Sequence, residues 1–149
     1  MPVSYRFDST IIIIELVGEY SMNDIPATII KSLADSKCPI KPFILIDLSE
    51  SLSIDKRTSE DVITMALSLV PLGKHFNNHI ALVAPNNLRY GLMRMGAVFS
   101  EEKGMKVEIF RTFADARKWL LSCNFLSSYS LGGGQINRIV SRTNNLGKV

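Results

Sequence analysis

Apolar residues along the chain fall into two repeating patterns, short continuous runs and longer stretches with helical spacing, and the two alternate. The first run, "TIIIIELVGEY" after "YRFDS", is rich in β-branched isoleucine and predicts two strands joined at a hairpin tip near Asp8-Ser9. "MNDIPATIIKSLADS" then reads as a helix with Asn23 or Asp24 as N-cap and Pro26 in its first turn. Ile25, Ile29, Ile30 and Leu33 share one face of that helix and predict packing on a sheet. Pro39 and Pro42 end it, and "PFILIDL" has the continuous apolar character of a parallel strand buried on both faces.

The alternation continues to the end of the globular part. "TSEDVITMALSLV" opens with a capping-box spacing, Thr58 to Asp61, and predicts a helix over 59–72. "HIALVAP" is a further strand. Asn86 or Asn87 then caps a helix whose Leu88, Leu92, Met95 and Phe99 form the apparent stripe, with Gly104 as its terminator. "MKVEIFRT" is the last strand, and Thr112 to Asp115 repeats the capping spacing before "FADARKWLLS". The predicted order is ββαβαβαβα, a single α/β domain with a mixed, mostly parallel sheet and an antiparallel edge strand. Residues 1–124 make up this domain, and 125–149 form a basic tail rich in Ser, Gly and Asn.

Composition narrows the class without naming an activity. The 149 residues suffice for one core, and 46% hydrophobic with 21% charged residues is a globular balance. No stretch approaches the ~20 apolar residues of a membrane span, and "MPVSYRFDST" lacks the features of a signal peptide, so a cytoplasmic location is expected. The net charge of +3 is unevenly placed: residues 1–115 hold 12 Lys and Arg against 14 Asp and Glu, whereas 116–149 hold five basic residues and no acid. Arg138, Arg142 and Lys148 are sparse and lack interleaved aromatics, so no nucleic acid is expected as partner.

Candidate catalytic patterns fail on context. Cys38 and Cys123 fit no metal or redox spacing; His75 and His79 lie in a stretch broken by Pro71, Gly73 and two asparagines; "LGGGQ" does not sit between a strand and a helix. Asp47 lacks the acidic pair and lysine of a phosphorelay receiver. The expectation is a protein without enzymatic activity, metal or cofactor.

The candidate chemistry lies in "SIDKRTSED", beyond the carboxyl end of a parallel strand, where helix N-termini favour ligands. Ser53, Thr58 and Ser59 offer hydroxyls, Asp55 a carboxylate, and Lys56 and Arg57 positive charge; Thr58 also serves as helix cap. The following helix carries two apolar stripes. Val62, Met65, Ala66 and Leu69 suffice to face the sheet, while Ile63, Leu67 and Val70 form a second, adjoining stripe that needs its own cover. Its cover is the rest of the chain, the tail, a protein partner, a second copy forming a homodimer, or an apolar small molecule lined by residues such as Met93 and Met95.

With "ILIDLSESLSIDKRTSEDV" leading from the central strand into a helix, the chain resembles the STAS domain of anti-sigma-factor antagonists. It especially resembles the bacterial SpoIIAA-like group, which is also grouped with CRAL-TRIO lipid-transfer folds. The resemblance covers about residues 5–122 and implies a regulatory module that binds a protein, or alternatively a carrier or sensor of a lipid. The antagonists open this helix with Asp-Ser-Ser-Gly and accept phosphate on a serine. Here Asp55 can take the aspartate position, but Lys56, Arg57 and Thr58 replace the rest, leaving Thr58 or Ser59 as displaced phosphoacceptors.

Overall fold

The computed structural model describes residues 2–51 and 57–132. Strands β1 (Val3–Asp8) and β2 (Ile11–Gly18) form an antiparallel hairpin, in register from Val3 opposite Leu16 to Asp8 opposite Ile11. The turn residues are Ser9 and Thr10, one position beyond the predicted tip, and Ser9 takes φ +58°, the left-handed conformation that two-residue hairpins favour. β3 (Phe43–Ser51), β4 (His79–Val83) and β5 (Lys106–Phe110) add in parallel, giving the order β1-β2-β3-β4-β5.

Strands laid down in sequence order with crossovers of one hand place every connecting helix on the same face. Accordingly α1 (Asp24–Leu33), α2 (Ser59–Leu69) and α3 (Asn87–Glu101) share one core with Ile12, Ile14, Ile44, Ile46, Ile80 and Val107. Helix α4 (Phe113–Gly132) follows the last strand and covers the other face, where Ala116 and Leu120 meet Ile11, Ile13, Phe43, Leu45 and Val83. Both sides of the central strands are thus buried, the physical basis of their unbroken apolar runs.

Four details depart from the sequence pattern. In α1, Ile25 and Ile29 are buried but Ile30 is 53% exposed; the helix fills its last buried position with Ser32, whose hydroxyl donates to the Ile29 carbonyl at 2.7 Å. Helix α2 stops at Leu69 and continues as a 3-10 turn over Val70–His75, because Pro71 has no N–H for an α-helical bond. In α3 the buried face is Met93, Gly96, Ala97 and Ser100, one step round from the predicted stripe, which leaves Phe99 38% exposed. Helix α4 runs on to Gly132, well into the stretch assigned to the tail.

Small residues explain the shift in α3. A Cβ built on Gly96 would lie 3.0 Å from Val62 Cγ1 and 3.5 Å from Ala66 Cβ, so α2 and α3 pack backbone to side chain at this point. Ser100 Oγ donates to the Ala66 carbonyl at 3.3 Å beside that contact. Large side chains at these positions would hold the helices apart.

Candidate functional site

Helix α2 begins as a capping box. The Asp61 N–H donates to Thr58 Oγ1 at 3.1 Å and the Thr58 N–H donates back to Asp61 Oδ2 at 3.3 Å. This commits the Thr58 hydroxyl to the cap as an acceptor, while Thr58 and Ser59 both remain exposed at the surface. Glu60 and Asp61 add two carboxylates to the first turn, complementing the helix dipole.

Arg57 enters from the loop before the cap. Its Nη2 donates to the Tyr20 carbonyl, and its buried Nε has no hydrogen-bond partner among the described residues. It thereby ties the end of β2 to the start of α2. Close by, the Tyr20 and Ser51 hydroxyls share a buried hydrogen bond of 2.8 Å between the ends of β2 and β3. Arg57 also borders an open groove of about 310 Å³ between the starts of α1 and α2, whose walls include Met22, Pro26, Asp61, Thr64 and Met65. Asp61 in this wall offsets the positive charge of Arg57.

Of the remaining predicted loop residues, Ser53, Asp55 and Lys56 lie outside the described residues. The structure therefore assembles Arg57, Thr58 and Ser59 at one end of α2. Ile63 is half-buried on the flank of the helix and Leu67 is 38% exposed, whereas Val70 packs against the main core as the 3-10 turn begins. The outward apolar stripe of α2 thus reduces to Ile63 and Leu67. Because α3 packs directly on α2, exposed Phe99 extends the apolar surface on the α3 side, while half-buried Leu92 packs against the core.

Two arginines at the same edge of the sheet were not singled out in the sequence. Arg89 Nη1 donates to the carbonyls of Leu48 and Ser49 at 3.0 and 3.1 Å, and Arg111 lies over the Tyr90 ring at 4.3 Å. Asp47 accepts from the Ser49 N–H and hydroxyl at 2.9 and 2.6 Å, so it shapes the end of β3. Arginine is not diagnostic in a single sequence, and only the fold brings these side chains to the strand ends.

The interior offers little room. A cavity of about 30 Å³ lies between α2, α3 and the sheet, lined by Met65, Met93 and Ala97 among others, while Met95 lies outside it. That is about the volume of one water molecule. Among the described residues, no three His, Cys, Asp or Glu side chains are grouped to hold a metal, and no helix is long and apolar enough to cross a membrane. Burial pushes both thiols, Cys38 and Cys123, above their ordinary range.

No family model and no curated protein matches the chain. Among solved structures, an uncharacterized protein of the DUF3478 family from Shewanella loihica PV-4, described as having a SpoIIAA-like fold, aligns with a TM-score of 0.50. The identity is 21%, over 79% of this chain and 91% of the other. This chain has a SpoIIAA-like fold. At that identity the likeness carries fold alone, and the chemistry rests on the residues described above.

Proposed function

We propose that this chain is a non-enzymatic, cytoplasmic bacterial module that regulates by binding, docking a protein partner or a second copy of itself on the α2–α3 seam. The observation that carries the reading is the apolar surface of Ile63, Leu67 and Phe99, the last two each 38% exposed, over a helix pair held in close contact at Gly96. Thr58 and Ser59 are exposed at the start of the same helix, while Arg57 lies on its α1 side. The carrier reading has weaker support, since ligand pockets typically measure about 300–1,000 Å³ and the core cavity is about 30 Å³.

The test replaces Ile63 and Leu67 together by Asp in the full chain and compares light-scattering mass with wild type, with circular dichroism as the check on folding. A wild-type dimer that becomes a folded monomer supports self-association through the seam. A monomeric wild type directs the search to a foreign partner, and there the reading requires that the double variant lose a partner co-purifying with wild type. A variant that keeps every wild-type assembly refutes the seam as the docking surface, and a lipid retained in native mass spectrometry would favour the carrier instead.

A further inference from the structure

We propose that the amino-terminal edge of the parallel sheet docks on an anionic membrane surface, with Ile40 entering the headgroup layer and the lysines around it facing the lipid charges. This edge lies at the opposite end of the strands from Arg57 and involves none of the seam residues.

The rim is one connected surface. Ile11, Phe43, His79 and Lys106 stand side by side in the strand register, and the loops leading into them are joined by hydrogen bonds. The Phe43 N–H donates to the Thr10 carbonyl at 2.9 Å, Asn77 Nδ2 to the Lys41 carbonyl at 3.0 Å, and the Lys106 N–H to the Asn78 carbonyl at 2.7 Å. Ile40 stands out of this rim between Pro39 and Pro42 at 92% exposure, well above the other exposed large hydrophobic residues among those described. The two prolines restrict the loop, and Lys41 is held at φ +51°, so the projecting isoleucine is part of a defined turn.

Charge decides the kind of surface it suits. Lys37, Lys41, Lys74, Lys103 and Lys106 are all exposed on or beside the rim, and none is in an ion pair with a described residue. The acids on or beside the rim are Glu101, Glu102, Glu108, Asp35 and Asp8. Glu101 and Glu102 end α3, while Asp35 is occupied by the Tyr5 hydroxyl at 2.6 Å and the Lys37 N–H at 2.9 Å, and Asp8 is paired with Arg117. An exposed aliphatic side chain on an edge that also carries exposed lysines matches the two requirements of a reversible anionic-membrane contact, apolar insertion and basic charge. Nucleic acid would use stacking aromatics, and Phe43 and Phe76 at this edge are buried.

Flotation of the full chain with phosphatidylcholine–phosphatidylserine vesicles tests the proposal, against phosphatidylcholine vesicles as control. The expected result is binding to the mixed vesicles alone, weakened by added salt. Ile40→Asp should lower the apparent affinity roughly tenfold, from the transfer free energy of an aliphatic side chain. Lys37→Ala and Lys41→Ala should each lower it roughly fivefold, at about one lost lipid-facing charge apiece. All three sites are exposed, and circular dichroism verifies the fold of each variant.

No binding, or equal binding to both vesicle types, overturns the proposal, as does an Ile40→Asp variant that binds like wild type. It is also overturned if Arg138→Ala, Arg142→Ala and Lys148→Ala together abolish binding while the rim variants do not. Single-stranded RNA that binds more tightly than the vesicles, is weakened by the lysine variants and ignores Ile40, would make the rim a nucleic-acid surface instead.

Discussion

Replacing Gly96 by alanine places a methyl group 3.0 Å from Val62 Cγ1, closer than ordinary van der Waals contact. Ala66 Cβ at 3.5 Å is in ordinary contact, so the new methyl group presses on the buried Val62 side chain. Two effects oppose each other. Alanine gains about 0.8–1.0 kcal/mol of helix propensity over glycine, and overpacking a filled contact costs about 1–3 kcal/mol. The net expectation for Gly96→Ala is a destabilisation of roughly 0–2 kcal/mol. Gly91 provides the internal control: it lies in the same helix, is exposed, and a Cβ there meets nothing within 4 Å. Gly91→Ala should therefore show the propensity gain alone, a stabilisation of about 0.8–1.0 kcal/mol. Urea unfolding of the two variants beside wild type reads both numbers, and leucine at Gly96 should cost more than alanine. If Gly96→Ala stabilises as much as Gly91→Ala, the helices do not touch as described, and the apolar seam loses its structural basis.

Two smaller perturbations probe the ends of the sheet. Thr58→Ala removes the acceptor of the capping box and should cost about 0.5–2 kcal/mol in urea unfolding, with Thr58→Asp recovering most of the loss; equal stability of the alanine variant would show that the cap contributes nothing. Arg117 donates to Asp8 through Nε at 2.7 Å and Nη2 at 3.2 Å, and holds the Asp8 carboxyl below its ordinary value. A carboxyl lowered on folding stabilises the protein above its unfolded pKa and ceases to do so as pH falls through the folded one. Asp8→Asn should therefore melt below wild type near neutral pH, and the gap should close below about pH 4, the ordinary carboxylate range. A gap independent of pH would refute the ion pair as its source.

The parts of the fold that were legible from the chain share a simple cause: their pattern is set by the nearest neighbours in sequence. The Ile11 to Ile14 run, the Thr58–Asp61 box, Asn86 as the cap of α3 and Gly104 at φ +95° beyond its end all follow from local rules. The misread positions depend on what lies across a tertiary contact. Glycine, alanine and serine at 96, 97 and 100 look like gaps in a hydrophobic stripe, yet they are the buried face because α2 fills the space a larger side chain would take. Ile30 looks like core by spacing and is exposed because α1 meets the core with Ile25, Ile29 and Leu33. Pro71 was visible and should have ended α2 at Leu69. At the candidate site, the capping role of Thr58 was readable, whereas the union of Arg57 with Tyr20 required the fold.

The geometry also separates the two proposed surfaces. The strands run from the lysine rim to the edge where Arg57 and the α2 cap sit, and α2 and α3 return along one face from that edge towards the rim. With the rim on a membrane, the strands stand away from it, the Arg57 end points outward and the seam of Ile63, Leu67 and Phe99 remains open to the side. One molecule can then hold lipid and protein at once. Such independence has a measurable form: Ile40→Asp should leave the light-scattering mass and any co-purifying partner unchanged, and the Ile63 and Leu67 double variant should float with mixed vesicles like wild type. Loss of both behaviours in either folded variant would mean that a single surface serves both contacts, because sites that share no partner should respond independently.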